Sequence, residues 1–385
     1  MTRVRKYVCA GLVVLLCGCQ WLGNTYDSVF GSSKPKIPDL APIKPTSVLK
    51  ILWRADIGTA DKSVFFPAVE RGIVYAGGRA GHISGFEAAT GKIVSQFDAD
   101  QSIAAGVGIG SGLALVGTDK GELLAFNYQG KLAWKAQIPG ELLAPPAADQ
   151  GVVVVRAGND RIFGLNAADG KRRWVYQRTT PTLSVRAHVG AVLYRGAVFA
   201  GFAGGRLIAL ALSNGAVGWE GVVALPRGTT ELERVADVTS LPAIDNDQVC
   251  AVAFQGRVAC FDLIRGTQRW ARNVSSVAGL TIDDRYLYVT DEKSAVLALD
   301  KNTGASIWNQ DKLAGRLLTA PLGVGQHVVV GDAKGYVHVL SRETGALEAR
   351  LETDGSAIMV PPVTLGGMSF AVQTKDGGLF AIEIQ

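Results

Sequence analysis

Five cysteines and four histidines are the side chains of this 385-residue chain best suited to covalent or metal chemistry. Their spacing gives each pair different work. Leu16-Cys17-Gly18-Cys19-Gln20 closes an apolar run near the N-terminus and has the form of a bacterial lipobox. Leu16 stands three residues before Cys19 and Gly18 directly before it, so Cys19 is the expected lipid acceptor. Cys17 is a poorer acceptor, because the Leu16 before it is not small; ordinary secretory cleavage without lipid is the simpler alternative. Cys250 and Cys260 lie in VCAVAFQGRVAC. A hairpin turn centred near Gln255 makes them cross-strand partners at a separation suited to a disulfide, and an exported chain meets an oxidising compartment. The other reading is two reduced cysteines in small core positions, since Cys260 aligns with Gly85, Ala125, Gly164, Ala209 and Ala298. His82, His188, His327 and His338 lie far apart without metal-ligand spacing, so no metal is expected. His338 falls inside an apolar strand and reads as a packed strand residue.

The elements that must carry these residues repeat. Short strands end on Phe86, Phe126, Leu165, Leu210, Phe261, Leu299, Leu340 and Ile382, at spacings of 40, 39, 45, 51, 38, 41 and 42 residues. That period is one four-stranded β-propeller blade. A Gly with Trp four residues later follows most of them, placing Trp134, Trp174, Trp219, Trp270 and Trp308; Ser95 and Ala349 replace Trp in two repeats. The indoles are expected to pack between blades. The last repeat ends at the C-terminus without its Trp strand. Residues 49–57, with Trp53, supply the missing strand and are expected to close the ring, because an open ring leaves a long unpaired edge. The fold expected is all-β: an eight-bladed propeller of four-stranded antiparallel blades.

Composition bounds the rest. The chain is 19% charged and 48% hydrophobic, which suits one large β domain. Its formal charge of +5 falls to about +2 when Arg3, Arg5 and Lys6 leave with the leader, which is no field for nucleic acid. Residues 1–18 read as a lipoprotein signal peptide, too short in its apolar run to span a bilayer. Residues 19–46 carry the lipidated Cys19 and a tether with Pro35, Pro38, Pro42 and Pro45, expected to be extended and poorly packed. Residues 47–385 form the propeller. Gln20, rather than Asp, follows Cys19, so the expected destination is the periplasmic face of the outer membrane.

The rhythm breaks twice, between Leu165 and Leu210 and between Leu210 and Phe261. From Trp134, Trp270 and Trp308 to the next repeat end takes 31, 29 and 32 residues, but from Trp174 it takes 36 and from Trp219 it takes 42. The excess therefore lies in two successive inter-blade connections, near 177–188 and 225–241. Long loops on a rigid scaffold concentrate binding residues. The first loop alternates Leu183 and Val185 toward Arg186, an apolar pair beside an arginine that suits a protein contact. The second carries Arg227, Glu231, Glu233, Arg234 and Asp237. Charges pairing within self-contained loops are the alternative.

Signal, lipobox, Pro-rich tether, eight blades and these two loops together resemble the BamB family, lipoprotein subunits of the β-barrel assembly machinery of Gram-negative bacteria. Thr182 to Arg186 and Thr230 to Val238 are the most specific segments. The resemblance implies no enzymatic activity and no cofactor. It implies docking on the POTRA domains of BamA, support for insertion of outer-membrane proteins, and an edge strand offered to unfolded clients by β-augmentation. Carried over residue by residue, the first-loop contact falls on Leu183, Val185 and Arg186, with Val185 where the family has Leu. Arg234 and Asp237 belong to the second-loop surface. The family's second loop has Asp-Val-Asp; here Thr239 replaces the second acid. The alternatives are a sugar- or polymer-binding propeller lipoprotein and a quinoprotein dehydrogenase. The latter needs an adjacent Cys pair that this chain lacks.

Overall fold

The computed structural model describes residues 37–179, 181, 183–185 and 188–385. Thirty-two strands form eight four-stranded antiparallel sheets, each built from strands consecutive in sequence except one. The exception joins the chain's ends. Leu49–Asp56 pairs with Gly378–Ile384, from Leu49 opposite Ile384 to Asp56 opposite Gly378. The expected closure is present, and Trp53 stands opposite Ala381. Blades are numbered here by their first strands: Ala68–Glu70 opens blade 1, Ala105–Gly110 blade 2, Ala147–Asp149 blade 3, Val192–Tyr194 blade 4, Ala243–Ile244 blade 5, Gly279–Ile282 blade 6, Leu322–Val324 blade 7 and Val363–Gly366 blade 8.

The middle strands of each blade are apolar on both faces because both faces are covered by neighbouring blades. Leu113–Gly117, Val152–Arg156 and Tyr286–Thr290 are buried throughout. Outer strands alternate, with one face in water, as in Arg172–Tyr176, where only Trp174 is fully covered.

The Gly-x-x-x-Trp spacing turns out to join two blades. The glycine does not serve its own tryptophan. Gly91, Gly170, Gly215, Gly266, Gly304 and Gly345 lie against Trp53, Trp134, Trp174, Trp219, Trp270 and Trp308, each the tryptophan of the preceding blade. Each indole Nε1 donates to the carbonyl three residues before that glycine, at Ala88, Ala167, Leu212, Leu263, Lys301 and Arg342. Each Trp also faces a small residue on its own blade, such as Ala125, Gly164 or Ala298. Where Ala349 replaces Trp, the opposing residue is the larger Val339, which keeps the volume filled.

Gly304 shows why the glycine is required. Its φ is +71°, and an added Cβ would sit 2.4 Å from the Trp270 ring. Gly304→Ala is expected to cost about 2–3 kcal/mol, combining left-handed strain with overpacking. Gly355, at φ +79° with open space around it, should cost only about 1 kcal/mol as alanine. The two urea midpoints, compared at equal slope, test the difference.

Cys250 and Cys260 are directly opposed across the blade 5 hairpin and their sulfurs are bonded. His338 is fully buried, as its strand position implied. The compact unit begins at Asp39, earlier than the boundary at residue 47. Leu40 packs on the cluster of Tyr286, Tyr288 and Trp308. Arg350 donates to the Ala41 carbonyl, and the Thr46 and Ser47 amides donate to the Glu348 carbonyl. The last part of the tether thus lies against blades 6 and 7, because a lone apolar side chain and three hydrogen bonds find partners there.

Candidate functional site

Connections from the outer strand of one blade to the inner strand of the next emerge on one face of the ring. Those after Arg172–Tyr176 and Val217–Val222, spanning 177–191 and 223–242, exceed all the others, such as 99–104 and 273–278. The structure brings them side by side.

The second loop builds its own frame. Thr230 and Glu233 form a capping box: the Glu233 amide donates to Thr230 Oγ1, and the Thr230 amide donates to Glu233 Oε2. The Thr229 amide and hydroxyl donate to the same oxygen. These donors, the Thr229 amide foremost, hold the Glu233 carboxyl below its ordinary range. The turn lifts Leu232 into water at 69% exposure, with Arg234 exposed beside it, while Val235 is buried and Ala236 and Val238 drop into the core between blades 4 and 5.

Asp237 is the joint of the site. It is 3% exposed. One carboxylate oxygen accepts from the Val185 amide at 2.7 Å, and the other from the Gly204 amide at 3.0 Å. Its carbonyl accepts from the Phe254 amide at 2.8 Å. One residue therefore ties the first loop, the blade 4 turn and the blade 5 turn together. With its amide nitrogen toward the loop, Gln255 adds contacts to the Leu232, Glu233 and Val235 carbonyls.

On that joint Leu183 stands 43% exposed and Ser184 is open, while Val185 is half-buried. Arg186 and Cys19 lie outside the described residues. Behind the first loop is a cavity of about 280 Å³ lined by Val185, Asp237, Thr239, Arg156 and Asp160. Arg156 is paired to Asp160 at 2.6 Å and lies over the Phe202 ring. Thr239, where the family has its second acid, is buried, and its hydroxyl finds no partner among the described residues. The sequence gives Gly204 no role and places Gln255 only at the centre of a hairpin turn, not in the loop site. A glycine pair in a hairpin turn and a lone Gln in another carry no signal of a loop docked from elsewhere. Among the described residues no group of three or more His, Cys, Asp or Glu is placed to hold a metal.

A family model described as outer membrane protein assembly factor BamB matches residues 79–310. An assembly factor of that name from Nitrosomonas eutropha is 42% identical, with 100% of this chain and 96% of the relative aligned. The chain belongs to the BamB family. The BamB of Bordetella pertussis is 39% identical over 97% of this chain and 95% of its own length. The crystal structure of BamB from Moraxella catarrhalis superposes with a TM-score of 0.80 at 27% identity, covering 87% of this chain and all of that one. Quinohemoprotein alcohol dehydrogenase from Comamonas testosteroni, at 13% identity and a TM-score of 0.68 over 87% of this chain and 76% of that one, shares the fold alone. BamB-family membership extends to the strand that closes the ring, since the Nitrosomonas relative aligns with the whole of this chain.

Proposed function

We propose that this chain is a non-enzymatic scaffold of outer-membrane protein assembly, docking through its two long loops on the POTRA domains of BamA. Leu183 and Val185 supply the apolar contact and Arg186 a charged anchor. Arg234 borders them on the second loop, and Asp237 positions the first loop without touching the partner. The observation that carries this reading is the pair of hydrogen bonds from the Val185 and Gly204 amides to the buried Asp237. They fix an exposed leucine on a rigid frame, which lowers the ordering cost of binding. Names of the aligned relatives support the assembly role.

Lipid on Cys19 would hold the chain at the periplasmic face of the outer membrane, and the tether would keep the loops at high effective concentration near a membrane-embedded partner. In that oxidising compartment the Cys250–Cys260 disulfide staples the hairpin whose turn supports the second loop. Leu183→Asp and Arg186→Glu are each expected to lower co-purification with BamA at least about tenfold while the thermal melt stays unchanged. Full retention of BamA by both variants would sink the proposal.

A further inference from the structure

A second apolar surface lies beside the loops. It is a cavity of about 570 Å³ lined by Phe66, Val185, Leu241, Val277, Leu317 and Met359. These come from six of the eight inter-blade connections, so the cavity lies over the ring axis on the loop face. Leu241, Val277, Leu317 and Met359 are all exposed, with Leu317 at 65% and Met359 at 57%. Scattered exposed apolar residues mean little, but four around one concavity mark a contact surface.

Leu317 adds an independent observation. Its φ is +54°, and it is the sole apolar non-glycine residue with a left-handed backbone among the described residues. That conformation disfavours a branched bulky side chain. It is held by the Leu317 amide donating to Ser294 Oγ and by the neighbouring Arg316 guanidinium bound to Asp332. The surroundings force the backbone and the leucine side chain points to water. Strain of this kind persists where surrounding structure over-determines it, and it clusters at ligand contacts.

We propose that the channel mouth is a second contact patch for the same protein partner that the two loops engage, filled by an apolar protrusion of that partner. This rests on the loop reading above. The two surfaces are continuous, because Val185 lines both the cavity behind the first loop and the channel mouth. The loops' exposed Leu183, Leu225 and Leu232 alone are small against the roughly 800 Å² per partner of a stable interface. Asp291 and Glu292 border the same mouth and make no ion pair among the described residues, so the protrusion should be flanked by Lys or Arg.

The test measures affinity for the purified POTRA fragment of BamA from the same organism. Leu317→Asp, Met359→Asp, Leu317→Gly and Leu183→Asp are compared with the parent protein. The first two should weaken binding about tenfold each with the melt unchanged. Leu317→Gly should raise Tm, because glycine accepts the left-handed backbone, yet still weaken binding. A packing role alone would not move the two readouts in opposite directions. If the channel-mouth variants bind like the parent while Leu183→Asp does not, the channel-mouth contact is wrong and the loop reading stands. If Leu183→Asp also binds like the parent, the loop reading fails with it. If the channel-mouth variants keep fragment affinity but lose retention of a urea-denatured barrel protein, the occupant is an unfolded client and the proposal is overturned.

Discussion

Asp237→Ala is expected to destabilise the protein by about 2–4 kcal/mol and to lower BamA co-purification at least as far as Leu183→Asp does. The carboxylate is buried and accepts from two backbone amides on different segments, Val185 and Gly204. Alanine leaves both donors without an acceptor in a place water reaches poorly, at about 1–3 kcal/mol each. The loss should be unequal in space. The blade 4 hairpin is held by its own ladder, from Ala197 opposite Ala211 to Phe202 opposite Arg206. Among its described residues the first loop has no such ladder, so its amides should lose protection from hydrogen exchange first. Asp237→Asn keeps one acceptor oxygen and turns a donor toward the other amide, so it should fall between parent and alanine. Unchanged exchange in the first loop of Asp237→Ala would show that the loop is held by other contacts.

Asp332→Ala should be the most damaging substitution in blade 7, at about 3–5 kcal/mol. Asp332 is fully buried and accepts from Arg316 Nε at 2.6 Å and from His338 Nε2 at 2.9 Å. Removing the acid leaves a buried guanidinium without its carboxylate, the costly way to break such a pair. The same cluster makes stability depend on pH. Burial pushes the His338 imidazole below its ordinary range of 6.5, against the pull of Asp332. Burial also opposes ionisation of Asp332, but hydrogen bonds from His338 and Arg316 win and hold its carboxyl below the ordinary 3.8. Both folded groups therefore take up protons less readily than the unfolded chain. Stability from them is complete above the unfolded values and is lost as pH falls, first below about 6.5 through His338 and then below about 4 through Asp332. Where only the unfolded histidine is protonated, the slope is about 1.4 kcal/mol per pH unit. A neutral His338 donating from Nε2 leaves Nδ1 bare, and Nδ1 has no partner among the described residues. A second proton there would meet no acceptor and would face Arg350, the register neighbour of His338. His338→Gln, which keeps a donor toward Asp332, should flatten the denaturation midpoint between pH 7 and 5. An equally steep profile in that variant would assign the effect elsewhere.

The repeat was legible because each blade spells the same local instructions: an apolar run buried on both faces, a glycine turn and an alternating outer strand. The misleading part was the Gly-x-x-x-Trp spacing, which looks local. Gly304 answers Trp270 of the preceding blade, a contact that no window of the sequence displays. The packed end of the tether was illegible for the same reason. Proline content describes how residues 37–46 behave when nothing binds them, while Leu40 finds Tyr286 and Trp308 on a remote part of the chain. In the loops, the interval lengths placed the insertions. Asp237 read as part of the second-loop surface, and only the fold shows it buried with both carboxylate oxygens facing backbone amides.

Local chemistry thus determined the blade count, the ring closure through Trp53 and the position of the two long connections, because all of these follow from the repeat and from where it lacks or exceeds its usual length. The tertiary structure alone decided which side chains share a surface. Closing the ring sets six connections around one axis, carries Asp237 beneath Val185 across 52 positions of sequence, and turns Leu317 outward on a backbone that its own residue type disfavours. Those outcomes follow from long-range packing, where the energy of a contact is fixed by partners the sequence holds far apart.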